Sequence, residues 1–134
     1  MSLDLYIISK TPVKHKGVED GVFWHNDITN NLLPMATQCV ITYNDVKVSL
    51  RRLLWEPKET GLLGKNNEVT EEYINALSGC LGLLIVDKAK YVKYNPANGL
   101  GSYEGLKDFV TDLVITLNEI KPENYNNYTV EAEL

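Results

Sequence analysis

The run from Ser102 to Pro122 constrains the fold of this chain more than any other segment. Leu106, Phe109, Val110, Leu113, Val114, Leu117 and Ile120 recur at the i, i+3, i+4, i+7 spacing of one helix face, and Pro122 ends the pattern. A helix with so broad an apolar stripe must bury it against another layer. Strand patterns stand at both ends of the chain. Tyr128, Val130, Ala132 and Leu134 alternate with Thr129, Glu131 and Glu133, which describes a strand with one wet face. Leu3, Leu5 and Ile7 alternate with Asp4, Tyr6 and Ile8, and Val22-Phe23-Trp24-His25 alternates again after a polar stretch, Lys14 to Gly21. Helices between terminal strands predict an α+β fold: a small, mostly antiparallel sheet made of an N-terminal hairpin and the C-terminal strand, packed against three or four helices. At 134 residues the chain is one globular domain, 1–134. Exposed edges of such a sheet offer a route to a homodimer.

The segments between the strands punctuate clearly. Asp27-Ile28-Thr29-Asn30-Asn31 carries helix-capping side chains, and Pro34 fits only a first turn, so a helix is expected from about Asn31 toward Val40. Residues 41 to 54 read two ways, as a hairpin around Asn44-Asp45 or as a helical turn through Leu50, Leu53 and Leu54 that stops before Pro57. Glu56 to Glu68 is a surface loop, after which Thr70 caps a helix with Tyr73, Ile74, Leu77, Leu81, Leu84 and Ile85 as its buried stripe. Gly79 and Gly82 within it suggest a neighbouring backbone passing close by. A separate short helix is expected over Asp87 to Tyr94, and Ser102 caps the last helix.

Charge and cysteine content exclude several classes. A net charge of −5 disfavours general binding to nucleic acid. The longest apolar run, Leu81 to Val86, is far below the ~20 residues that span a bilayer, so no membrane segment is expected. Cys39 and Cys80 lie in apolar stretches as buried, reduced thiols, and Met1 to Leu5 lacks the pattern of a signal peptide, which together predict a cytoplasmic protein.

Two candidate sites emerge from the residues. The first is the loop Asn98, Gly99, Gly101, Ser102 and Tyr103, because glycines before a helix N-terminus let backbone N–H groups approach an anion such as a nucleotide phosphate, with Tyr103 available to stack on a base. The same residues also make an ordinary helix cap, with Gly99 and Gly101 at left-handed angles, and this is the simpler reading. The second is Trp24, His25 and Asp27, an aromatic, an imidazole and a carboxylate in one short stretch. One histidine and one aspartate do not make a metal ligand set, and His15 lies among lysines, so neither a metal nor a cofactor is implied. Trp24 is expected in the core. Lys88 to Tyr94 interleaves lysines with Tyr91 and Tyr94, the composition of a solvated face whose tyrosines pack inward, and Asp108 and Asp112 face away from the apolar stripe as exposed charge. No nucleophile triad, reactive-cysteine setting or zinc-protease signature is present in the sequence, so no catalytic residue is assigned.

Four segments carry a resemblance: Leu3-Asp4-Leu5-Tyr6; Asp27-Ile28-Thr29-Asn30-Asn31-Leu32 with Met35-Ala36; Leu54-Trp55-Glu56-Pro57-Lys58-Glu59; and Asn95-Pro96-Ala97-Asn98-Gly99-Leu100-Gly101-Ser102-Tyr103-Glu104-Gly105-Leu106. Together they resemble a set of small uncharacterised bacteriophage and prophage proteins, although this chain has Asn30 and Leu100 where that set has His and Trp. The resemblance implies an accessory binding protein acting in the host cytoplasm. Such a protein would inhibit a host defence system by binding either a small-molecule nucleotide signal or a host protein. A nucleotide ligand predicts loss of binding on Gly101→Val, whereas a protein target predicts an exposed aromatic patch near Trp55. A small nucleotide-processing enzyme that depends on His25 or Asp27, and a structural protein of the virion, are the alternatives.

Overall fold

The computed structural model describes residues 1–11 and 21–134; His15 and nearly all of the expected polar loop lie outside the described residues. Strand β1 (Ser2–Ser9) is central, with β2 (Val22–Thr29) on one side and β5 (Tyr128–Glu133) on the other, both antiparallel to it. The register pairs Leu3 with Ile28, Tyr6 with His25 and Ile7 with Trp24, with an irregularity at Ile7/Ile8, and it pairs Tyr6 with Glu131 and Asp4 with Glu133. The α+β architecture and the pairing of the terminal strands are as the sequence predicts.

Both expectations for residues 41 to 54 are met in succession. β3 (Val40–Tyr43) and β4 (Val46–Ser49) form a separate hairpin, turning through Asn44 and Asp45 at φ of 50° and 65°. Ser49 then caps α2 (Leu50–Trp55) by accepting from the Arg52 N–H. The helix expected from Asn31 is shorter: a 3₁₀ turn over Asn30–Leu32 leads into α1 (Leu33–Gln38). Thr70 caps α3 (Glu71–Val86), α4 (Lys88–Val92) follows, and Ser102 caps α5 (Tyr103–Asn118).

The inner face of the sheet, Leu3, Leu5 and Ile7 with Trp24, Ile28 and Val130, lies in one core with the stripe of α5 and the buried face of α3. Aromatic side chains are anchored by polar groups there. The Trp24 indole N–H donates to Asp112 Oδ2 at 2.7 Å while its ring meets Phe109 edge-on, and the Tyr73 hydroxyl donates to the Leu53 carbonyl at 2.6 Å. Trp24 is a core residue, as expected. Asp112, expected as exposed charge, is half-buried because it accepts that indole proton.

Three further expectations are corrected. Ile85 lies 56% exposed, on the rim of a concavity it shares with Lys107, Asp108 and Thr111 of α5. Tyr91 packs inward but Tyr94 stays 37% exposed. No backbone crowds Gly82: a Cβ there would meet nothing within 4 Å, and at Gly79 it would meet only the Ile41 side chain, at 3.4 Å.

Candidate functional site

One side of the three-stranded sheet carries the helices; the other carries Asp4, Tyr6 and Ile8 of β1, His25 and Asp27 of β2, and Glu131 and Glu133 of β5. These residues share a face because side chains alternate along each strand and the register aligns the even positions of β1 with them. The His25 ring stacks on Tyr6 with centroids 4.3 Å apart and planes 12° from parallel. His25 Nε2 lies 3.0 Å from Asp4 Oδ1, and Lys58 reaches Glu131 at 2.9 Å. Among the described residues, Asp27 and Glu133 enter no salt bridge. Partial burial, then the nearby carboxylates of Glu133 and Asp4, push the Tyr6 phenol above its ordinary value. A shallow concavity of about 420 Å³ opens on this face, lined by Tyr6, Ile8, Val22, Glu131 and Glu133.

The candidate Trp24, His25 and Asp27 is therefore divided. Trp24 points into the core, while His25 and Asp27 face out with Asp4. The imidazole's partner is Asp4. Sequence reading missed Asp4 and Tyr6, although the alternation of Leu3-Asp4-Leu5-Tyr6 puts both on the wet face; the β1–β2 register, which is absent from the sequence, is what brings His25 over them. Among the described residues there is no cluster of three or more His, Cys, Asp or Glu side chains able to hold a metal ion.

Asn98, Gly99, Gly101, Ser102 and Tyr103 are brought together as the cap of α5. Asn98 Oδ1 accepts from the Leu100 N–H at 2.9 Å, Asn95 Oδ1 from Tyr103 at 2.8 Å, and Ser102 Oγ from Gly105 at 3.1 Å. Gly99 and Gly101 take φ of 74° and 108°, and a Cβ on Gly101 would stand 2.7 Å from Thr29 Cγ2. The Tyr103 ring is 3% exposed, its hydroxyl donating to the Leu84 carbonyl at 2.5 Å, so it has no free face for a base. The anionic position at this helix end is filled from within: Glu104 binds Lys107 at 2.9 Å and Lys88 at 3.3 Å, and the hydrogen bonds to Lys107, then Lys88, hold its carboxyl below the usual range. Beside it lies a concavity of about 440 Å³ lined by Ile85, Lys88, Tyr103, Lys107, Asp108 and Thr111.

Among the described residues, Trp55 does not form the exposed aromatic patch expected near it. Trp55 is 5% exposed and donates its indole N–H to Asn30 Oδ1 at 2.9 Å, so Asn30 serves as the acceptor that lets this ring be buried. A hollow of about 190 Å³ borders it, lined by Trp55, Glu56, Pro57, Lys58, Glu59 and Ala132.

Fold and site together define the class: a two-layer α+β domain whose sheet is covered on one side and carries an acidic, aromatic-centred surface on the other. No protein-family model, curated protein or solved structure matches the chain. No helix among the described residues is long and apolar enough to cross a membrane.

Proposed function

We propose that this chain is a non-enzymatic binding protein whose docking surface is the outer face of β2-β1-β5, and that its partner is a basic segment of a protein. The observation that carries the reading is the convergence of Asp4, Asp27, Glu131 and Glu133 around the Tyr6–His25 stack, on a sheet face over which none of the described helices lies. A flat pair of rings ringed by carboxylates suits an arginine side chain, whose planar guanidinium stacks on aromatics and bonds carboxylates in pairs. The net charge of −5 favours the same partner by steering. The resemblance to phage and prophage proteins supports a host target in the cytoplasm and a role against host defence. A protein target is favoured over a nucleotide signal because the α5 cap spends its donors internally and Glu104 holds both neighbouring lysines; with Trp55 buried, the surface offered to that target is the sheet face and not the aromatic patch expected near Trp55.

The test is titration of an arginine-rich peptide into isotopically labelled protein, followed by amide and side-chain NMR. Shifts should centre on Tyr6, His25, Asp27 and Glu133, weaken with salt, and disappear in the Asp27→Lys/Glu133→Lys variant, whose core is unaltered. Shifts scattered away from the sheet, or none, overturn the proposal. Selective thermal stabilisation by a nucleotide, worth ~2.7 kcal/mol at a hundredfold its Kd, would replace it with the nucleotide reading.

A further inference from the structure

Behind α4 the chain buries its two cysteines against each other. Cys39 ends α1 and Cys80 lies in the middle of α3; both are 0% exposed and both are free thiols. Their contacts are crossed: the Cys39 thiol donates to the Cys80 carbonyl at 3.4 Å, and the Cys80 thiol approaches the Cys39 carbonyl at 4.0 Å. Each sulfur therefore approaches the other residue's carbonyl, which makes the two thiols immediate neighbours, the first requirement for a disulfide between them.

We propose that Cys39 and Cys80 are a two-thiol redox site, converted by a hydroperoxide into an intrachain disulfide. The surroundings divide the roles. Cys39 is held below the ordinary thiol value by the hydrogen bond from Cys80, with the Tyr91 hydroxyl and the charge of Lys90 adding to it, whereas the contact with Cys39 and burial push Cys80 up. Cys39 is also the sulfur that lies against Tyr91 and Lys90 of α4, so it is the one a hydroperoxide reaches first and the one that attacks. Its sulfur forms a bond to the peroxide oxygen as the O–O bond breaks, and the departing alkoxide takes a proton to become an alcohol. Cys80 then attacks the sulfenic sulfur; the S–S bond forms, the S–OH bond breaks, and hydroxide leaves with the Cys80 proton as water. Two thiols lose two electrons and the hydroperoxide gains them.

Access is controlled by a thin cover. α4 has five residues, and Tyr91 is its one buried side chain; Lys88, Ala89, Lys90 and Val92 are all exposed. So short an element opens locally at far lower free energy than the α3–α5 core.

The experiment exposes the full chain to tert-butyl hydroperoxide, quenches with a thiol-blocking reagent, and reads intact mass and a peptide map. The expected product has lost two hydrogens, maps to a Cys39–Cys80 linkage, stays monomeric and reverts with dithiothreitol. Cys80→Ser should stop at a sulfenic acid trapped by dimedone. Tyr91→Ala should speed the reaction several-fold; if that variant does not fold, Lys88→Ala, which frees the start of α4 from Glu104 and from the Tyr103 ring, should show the same order of rates. Intermolecular disulfides or sulfinic acid as the main product overturn the proposal, as do thiols that stay reduced in both the wild-type chain and the variant with α4 loosened.

Discussion

Thr116 should be replaceable by valine with a gain in stability. Its side chain is fully buried in α5, and its hydroxyl has no hydrogen-bond partner among the described residues. Thr111, one and a half turns earlier, escapes this by donating to the Lys107 carbonyl at 2.7 Å. A buried hydroxyl left unpaired costs about 1–3 kcal/mol, and valine has the same shape and nearly the same helix propensity. The expected gain is about 1–2 kcal/mol. An unfolding entropy of roughly 2.1 cal/mol/K per residue gives about 0.28 kcal/mol/K over the 134 residues. Thr116→Val should therefore raise the thermal midpoint by about 4–7 °C. Urea unfolding followed by tryptophan fluorescence reports it directly, because Trp24 and Trp55 are both buried. The urea midpoint should rise at constant slope, while Thr111→Val, which sacrifices a satisfied bond, should gain nothing. A midpoint for Thr116→Val that is unchanged or lower would refute the reasoning and mean that the hydroxyl is already satisfied.

Other substitutions test other contacts. Asp112→Ala strips the Trp24 indole of its carboxylate and should cost about 1.5–3 kcal/mol, most of it restored by Asp112→Asn, as read from urea midpoints. Gly101→Ala should lose about 2–4 kcal/mol without any ligand, from the left-handed φ and the 2.7 Å approach to Thr29, so its effect on binding is interpretable only beside its effect on folding. Gly82→Ala, in an open helical position, should gain about 0.5–1 kcal/mol in the same assay. The depressed carboxyl of Glu104 stabilises the fold above its unfolded value near 4.5 and ceases to as pH falls through the folded value. Thermal midpoints of the wild-type chain and Glu104→Gln should therefore differ at neutral pH and converge on acidification.

Periodicity carried the fold. The stripe on α5, the alternation at both termini and the capping threonine and serine are local signals, and each named its element. What stayed hidden depends on pairs distant in sequence. Asp112 looked like solvated charge because the indole it serves lies 88 positions away, and Asn30 gave no sign that it would receive the Trp55 proton. Ile85 fitted its helical stripe, but which positions of a stripe a neighbour covers depends on packing between elements distant in sequence. The candidate surface was half legible: the alternation of β1 set Asp4 and Tyr6 opposite Leu3, Leu5 and Ile7, but Asp27 read as part of a helix-capping segment, and only the continuation of β2 to Thr29 and its register bring His25 and Asp27 onto that face.

The margins of the sheet carry a consequence for behaviour at high concentration. Residues 67 to 69 lie along the outside of β5, where the Val69 N–H donates to the Tyr128 carbonyl and the Val130 N–H to the Asn67 carbonyl. On the outside of β2, the Asp27 N–H is taken by the Asn26 side chain at 2.8 Å, and the irregular register at Ile7/Ile8 twists the strand end. Strand-by-strand growth into fibrils needs a row of open donors and acceptors on both sides, so concentrated solutions should stay clear and free of cross-β order. Asn26→Val would restore a donor to β2 and add a β-branched side chain beside it, turning a self-limiting sheet into a template for its own copies.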